Sequence, residues 1–231
     1  MFARLAVLAI LLAATAVQAA PLRTATRLET SQARLSQPVA SGSVMVVNRG
    51  SRPIWVRQVA PSDATHWGSD RLGSGSLPPG GKGVLRLGAG TTCRYDVRAT
   101  YAHGGELTRF DLDLCAGTEV VLSDADLSTP LPPSRDGVVV YRVTNRTGAP
   151  IVALHASPPE GPARGDLLGA WVMGDAMHYT GRMAASGSCA VDLRSAFSLR
   201  RDDAATLAGQ NLCETREVSL FQRMAAGALS H

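Results

Sequence analysis

An acidic and a basic residue recur two positions apart in two closely related stretches of the chain. Asp96 and Arg98 stand in CRYDVRATY, and Asp192 and Arg194 stand in CAVDLRSAF. Residues two apart on a strand point to the same face of a sheet, so each pair is expected on the polar face of its strand. One interpretation is a structural ion pair, or a carboxylate that ties a turn. The other is a contact to a ligand or partner on an exposed sheet face.

A second candidate site is the stretch WGSDRLG, which contains Trp67 and Asp70. Trp67 either caps one end of the fold or offers the flat face of its ring to a sugar. Asp70 either caps a turn or serves as the polar neighbour of that sugar. The related stretch GDLLG keeps an aspartate, Asp166, and has no tryptophan at the matching place. If Trp67 binds a ligand, we therefore expect only the first stretch to do so.

Other chemistry is disfavoured by the spacing of the residues that would carry it. The five histidines show no metal-ligand spacing to each other or to cysteine. The aspartates follow no calcium-loop pattern, although a loop calcium remains an alternative. Gly-x-Ser-x-Gly, His-Glu-x-x-His and phosphate-loop motifs are absent from the sequence. We predict no catalytic activity, no cofactor and no metal site, with a hydrolase of unrecognised type as the enzymatic alternative.

Residues 1–19 have the composition of an export signal. A short n-region with one arginine precedes the apolar run LAVLAILLAATAV. The small residues before the expected cleavage site are Val17 and Ala19. This pattern predicts a cleaved Sec-type signal with cleavage after Ala19, and hence a periplasmic or secreted protein without membrane insertion after cleavage. Four cysteines in an exported protein indicate two disulfides.

The chain contains an internal repeat. VVNRGSRPIWVRQVAPSD aligns with VTNRTGAPIVALHASPPE, the Cys-x-x-Asp-x-Arg element follows in both, and LDLC aligns with QNLC. A repeat of this kind predicts two copies of one structural unit. The expected organisation is a flexible segment 20–39, repeat 1 at 40–124, a Pro-rich linker 125–135, repeat 2 at 136–221 and a tail 222–231. Because each unit should be self-contained, we expect Cys93 to bond Cys115 and Cys189 to bond Cys213.

The pattern within one repeat predicts strands. CRYDVRATY alternates, with Tyr95 and Val97 expected inward and the Asp and Arg outward. In IWVRQVA, we expect Ile54, Val56 and Gln58 to share one face. Six short strands separated by Gly and Pro turns predict an all-β fold of two tandem small antiparallel β-sandwich domains, each with one internal disulfide. The stretch that starts at Asn145 matches a glycosylation acceptor or an ordinary turn.

Five motifs together resemble a duplicated domain of many exported bacterial proteins: Asn-x-Thr near the first strand, Trp-Gly-x-Asp-x-Leu-Gly, Leu-Pro-x-Gly, Cys-x-x-Asp-x-Arg and Asp-Leu-Cys. Repeat 1 has WGSDRLG, LPPG, CRYDVR and DLC, whereas repeat 2 keeps NRT and CAVDLR and loses the tryptophan and Leu-Pro-x-Gly. The resemblance covers most of residues 40–221. It implies the fold and the exported location, and adds little about activity.

These observations predict a non-catalytic binding or structural module. The alternative is binding of carbohydrate or envelope glycan through Trp67, and the third hypothesis is the hydrolase. A protein or an envelope glycan is the expected class of partner. The net charge is +4 with arginines scattered among acidic residues, so we expect no nucleic-acid partner, which would require a clustered basic patch.

Overall fold

The computed structural model describes residues 42–87, 92–117, 119–135, 137–159, 161–162, 165–185, 189–198 and 204–221. The chain is all-β in these residues, as predicted, and its only helical turn there is a 3-10 helix, Asp124–Ser128. The first repeat contains strands β1 (Ser43–Asn48), β2 (Ile54–Pro61), β3 (Lys82–Arg86), β4 (Arg94–Tyr101), β5 (Glu106–Asp113) and β6 (Val120–Leu122). The second contains β7 (Val138–Asn145), β8 (Ala153–Ser157), β9 (His178–Ala184), β10 (Ala190–Ala196), β11 (Ala204–Asn211) and β12 (Glu217–Leu220).

The two repeats have the same strand topology. In repeat 1 the sheets are β3-β1-β6 and β2-β4-β5, and in repeat 2 they are β9-β7-β12 and β8-β10-β11. Most pairs are antiparallel, but β1 pairs with β6 and β7 pairs with β12 in parallel. The tandem β-sandwich prediction is confirmed with this one refinement, because the last strand of each repeat returns beside the first in the same direction.

Each repeat builds its own apolar core between its two sheets. Val46, Leu85 and Val97 are fully buried in the first, and Val143 and Leu193 are fully buried in the second. Alternating apolar side chains place these residues on the inner faces of the strands. Burying a side chain of this size stabilises the fold by about 1.5–3 kcal/mol.

Both predicted disulfides are confirmed. Cys93 bonds Cys115, and Cys189 bonds Cys213. Each bond joins the start of the central strand of one sheet to the end of the strand that follows it. Since both bonds lie within a single repeat, each cross-link stabilises its own sandwich.

A buried asparagine ends the first strand of each repeat. Asn48 Nδ2 donates to the carbonyls of Arg52 and Leu77, both at 2.8 Å. Asn145 Nδ2 donates in the same way to Ala149, at 2.8 Å, and Met173, at 2.9 Å. Asn145 is fully buried, so its amide is inaccessible to glycosylation in the folded protein and the turn interpretation is the correct one.

The predicted faces of β2 are wrong. A β-bulge lies between Ile54 and Val56 and shifts the alternation by one position. Ile54, Arg57 and Val59 are therefore buried, whereas Trp55 is 54% exposed. A bulge adds one unpaired residue to a strand, and the hydrophobic pattern alone did not reveal it.

Several expectations fall outside the described residues. These are the signal peptide 1–19, the flexible segment 20–39 and the tail 222–231. The linker 125–135 is described in full. It contacts repeat 2, since Arg142 Nη2 donates to Thr129 O at 2.7 Å and Arg216 donates to Pro132 O. In the described part of the chain, no helix is both long and apolar enough to cross a membrane.

Replacing Cys93 and Cys115 together by serine should lower the free energy of unfolding by about 3 kcal/mol. The two cysteines are 22 positions apart in sequence, and their bond restricts the loop between them in the unfolded chain. Urea unfolding without reductant measures this loss. The wild-type protein unfolded under the same conditions, with both disulfides intact, serves as the control. A loss below about 1 kcal/mol would contradict a stapling role for this bond.

Candidate functional site

Asp70 and Asp166, predicted as turn caps or sugar neighbours, occupy equivalent positions in the two repeats. Each carboxylate accepts two backbone hydrogen bonds, one from the strand β2 or β8 and one from the residue two positions further on. The donors are Arg57 N (2.8 Å) and Leu72 N (2.9 Å) for Asp70, and Leu154 N (2.9 Å) and Leu168 N (3.0 Å) for Asp166. Both aspartates thus attach a long loop to the neighbouring strand.

Asp96 and Asp192 also have equivalent roles. Asp96 Oδ1 accepts from Asp111 N at 2.8 Å, and Asp192 Oδ1 accepts from Gly209 N at 2.8 Å. Asp111 and Gly209 both have positive φ, 58° and 66°, and each lies where the ladder to the central strand shifts register. The aspartate of Cys-x-x-Asp-x-Arg therefore holds a β-bulge. The expectation that Asp96 lies on an exposed face is wrong, since it is 3% exposed.

The arginines of the two Cys-x-x-Asp-x-Arg motifs differ in burial. Arg194 is exposed, as expected of the polar face. Arg98 is 4% exposed, and its Nε lies 2.6 Å from Glu106 Oε2 while its Nη1 donates to Gln58 Oε1 at 2.6 Å. The reason is on the adjacent strand, where Ala204 of repeat 2 takes the register position of Glu106. Only the first repeat can form this buried ion pair.

Glu106 connects the two repeats. Its carboxylate accepts from Thr180 N, at 2.9 Å to Oε1 and 3.1 Å to Oε2. Thr180 lies on β9, an edge strand whose one sheet partner is β7, and Trp67 Nε1 donates to Thr180 O at 2.7 Å. Two side chains of repeat 1 thus satisfy backbone groups that a neighbouring strand would otherwise pair. Sequence reasoning missed Glu106 and Thr180, because nothing near them in sequence signals their partner.

Arg182, also missed, completes the interface from repeat 2. Its Nη2 donates to Ser62 O at 2.7 Å, and its Nη1 lies 3.2 Å from Asp96 Oδ2 without hydrogen-bond alignment. Its guanidinium carbon lies 5.0 Å from the centre of the Trp67 ring. Burial lowers the pKa of Arg182, opposed by Asp96 and Asp63. Trp67 itself is 4% exposed, so its ring has no open face on which a sugar could stack.

A cleft of about 520 Å³ opens beside this interface. Repeat 1 contributes side chains that include Trp67 and Arg98. Repeat 2 contributes residues from both of its sheets, namely Tyr141, Ala156, Tyr179, Met183 and Val191, together with Leu212. The cleft therefore reaches between the sheets of repeat 2, and repeat 1 forms its rim.

A second groove, of about 450 Å³, crosses the repeats elsewhere. It is lined by the exposed Trp55, by His103 and Pro150, and by Trp171 and Val172. The rings of Trp55 and His103 lie 6.3 Å apart. The bulge in β2 makes Trp55, rather than Trp67, the tryptophan that presents its ring to solvent.

Among the described residues, one group combines metal-ligating side chains at close range: Cys93, Asp113 and Cys115. Both sulfurs of this group belong to the disulfide, so neither is a thiolate that could bind a metal ion. The expectation that the protein holds no metal and no cofactor stays a prediction.

Glu106→Gln should destabilise the protein by about 3–5 kcal/mol, because it leaves the buried Arg98 charge without its partner. The matched control is Glu119→Gln, which removes an exposed pair with Lys82 at 3.4 Å and should cost below about 1 kcal/mol. Urea unfolding compares the two. Equal losses would show that the buried pair with Arg98 contributes no more to stability than the exposed pair with Lys82.

His178 should make stability depend on pH. Burial lowers its pKa below the ordinary 6.5, with Arg142 and Arg98 acting in the same direction and Glu106 and Glu217 opposing. The unfolded chain then binds the proton more readily than the folded one, so stability is complete above the unfolded pKa and falls as the pH drops from about 6.5 toward the lower folded pKa.

The decline should be smaller in His178→Gln, which carries no titrating group at this position. Unfolding free energies measured from pH 8 to pH 5 test this. A decline of equal size in the variant would assign the pH dependence to other groups.

No protein-family model and no curated protein matches the chain. The resemblance to duplicated domains of exported bacterial proteins accordingly stays an expectation. A function for this protein has to be inferred from the geometry of the interface between the repeats and of the cleft beside it.

Proposed function

We propose that the protein is a non-catalytic binding module that holds a small ligand in the cleft between its repeats. The observation that carries this proposal is the cleft itself, with a volume of about 520 Å³ and walls from both repeats. Small-molecule sites have volumes of about 300–1,000 Å³, are mostly apolar and contain few polar groups. The cleft falls in this size range, and its lining combines apolar side chains with several polar ones, among them Arg98, Asp166 and Arg182.

The charged groups of the cleft support binding rather than catalysis. Arg98 is paired with Glu106, and Asp166 accepts two backbone hydrogen bonds. Arg182 donates to a backbone carbonyl and lies beside Asp96. A general acid or base needs a proton-exchanging group within reach of the substrate. These three charges are instead committed to the fold, and the imidazole of His66 also lines the cleft.

The buried interface also favours a preformed site. Glu106, Trp67 and Arg182 each make a hydrogen bond from one repeat to the other. Contacts of this kind fix the relative position of the cleft walls before a ligand arrives. A preformed site loses less conformational entropy on binding than a mobile one.

The proposal places this binding module outside the cytosol. The two disulfides indicate an oxidising environment. The signal-like residues 1–19 favour the periplasm or secretion after Sec-type export. An envelope component or a solute of that compartment is then the expected class of ligand.

Native mass spectrometry of protein purified from that compartment should detect a bound small molecule. Val191→Tyr should remove this extra mass, because a larger side chain fills the cleft at a position that lines it. The control is Val84→Tyr, the same substitution at an exposed site of repeat 1, which should retain the mass. A wild-type protein without bound mass, or a mass that Val191→Tyr retains, contradicts the proposal.

A further inference from the structure

We propose that the second groove, which Trp55 and Trp171 line, is a docking site for an extended, uncharged, proline-rich segment of a partner protein. The described residues that line this groove and those that line the cleft have no member in common, so the site adds a second binding activity to the proposed function. Three features carry the inference: the exposed apolar surface of the groove, the absence of charged side chains from its lining, and its hydrogen-bond donors.

Apolar side chains that solvent can reach gather along the second groove. Trp55 is 54% exposed and Val172 is 46% exposed, and both line it. Pro150 and Ala170, which are also exposed, extend this surface on repeat 2. Apolar side chains scattered singly over a surface need no explanation, whereas a contiguous group of them marks an interaction site. Their position along one groove therefore indicates that another molecule packs there.

The groove favours an uncharged occupant. In the described part of the chain, no Asp, Glu, Lys or Arg lines it. Its titratable side chains there are His103 and Tyr101, and the Tyr101 hydroxyl donates to Asp124 Oδ1 at 2.5 Å. A charged group that enters such a groove loses water without meeting an opposite charge on its walls, which is costly.

The polar side chains of the groove favour an occupant that accepts hydrogen bonds. Trp55 and Trp171 each carry an indole N–H, which can only donate. The described lining contains no carboxylate or carboxamide side chain that could accept. Trp171 Nε1 and the Thr100 hydroxyl are buried without a hydrogen-bond partner. An unpaired buried polar atom costs stability, and a peptide carbonyl bound at this place would remove that cost.

The unpaired indole nitrogen lies close to other residues of the groove wall. A Cβ on Gly104 would stand 3.9 Å from Trp171 Nε1 and 2.3 Å from Met177 Sδ, and all three residues line the groove. The absence of a side chain at Gly104 therefore leaves room for the Met177 thioether. Methionine is unbranched, has three rotatable bonds and adapts its shape readily. In the proposed complex, Met177 turns aside and a peptide carbonyl reaches the indole N–H.

A proline-rich segment has the surface that complements this groove. Proline has no backbone N–H, and the polyproline II conformation leaves the backbone carbonyls unpaired because it has no internal hydrogen bonds. Such a segment brings acceptors without donors, it is already extended before it binds, and its rings pack into aromatic-lined grooves. A glycan is disfavoured, because its hydroxyls bring a donor with each acceptor and the described lining has few side chains that accept.

The test is isothermal titration calorimetry of the full chain with octaproline blocked at both ends. A blocked glycine–serine peptide of the same length and chitohexaose serve as comparison ligands. Octaproline should bind at one site and about tenfold or more tightly than either. Trp55→Ala should weaken octaproline binding about tenfold or more, because exposed tryptophans at binding sites contribute strongly to affinity. The matched control is Phe221→Ala, which removes an exposed aromatic ring outside the groove and should leave binding unchanged.

Trp171→Phe separates the hydrogen bond from the apolar contact. Phenylalanine retains an aromatic ring and removes the N–H, so octaproline binding should weaken about fivefold to tenfold. Thermal melting confirms that this variant folds. Unchanged affinity in folded Trp171→Phe overturns the role of the indole as a donor.

The remaining outcomes test the location and the chemistry of the site. Octaproline binding that survives Trp55→Ala overturns the location. Equal binding of the glycine–serine peptide overturns the preference for proline, and tighter binding of chitohexaose assigns the groove to a glycan instead. No binding of octaproline overturns the inference and leaves the cleft and its proposed function unaffected.

Discussion

The buried carboxylate of Glu106 is the group on which the arrangement of the two repeats depends. It pairs with Arg98 within repeat 1 and accepts the Thr180 amide of repeat 2. A charge in this position is tolerated because a guanidinium and the Thr180 backbone N–H replace the water that the carboxylate has lost. Trp67 adds the complementary bond to the Thr180 carbonyl, so an otherwise unpaired strand edge is covered by side chains instead of by another strand.

Comparing the two repeats distinguishes residues that maintain the common fold from residues that only one repeat has. Asp70 and Asp166 make the same backbone contacts in both repeats, as do Asp96 and Asp192. Residues that keep one role in two copies belong to the common fold. Glu106 has no counterpart of its type in repeat 2, and this difference allows two unlike sheet surfaces to meet.

The cleft arises from the same divergence. Val191 of repeat 2 lines it, two residues after the disulfide cysteine, where repeat 1 has the larger Tyr95, and repeat 1 lies across the opening with Trp67. Both repeats therefore contribute polar side chains to the cleft, Arg98 from repeat 1 and Arg182 from repeat 2, and the core of repeat 2 contributes apolar ones. Neither sandwich alone lines the whole cleft, because residues of both repeats form its walls.

The sequence by itself determined the duplication, the all-β character of each repeat and both disulfide pairings, because these follow from local alternation and from the repetition of Cys-x-x-Asp-x-Arg. It left two interpretations open for Asp96 and Arg98, and only the tertiary structure shows that their face is buried. Burial of a polar strand face depends on what packs against it, and that surface comes from β9, far away in the chain. The sequence pattern also did not predict the bulge that exposes Trp55. One extra residue in a strand moves the following side chains to the opposite face without changing the amino-acid composition.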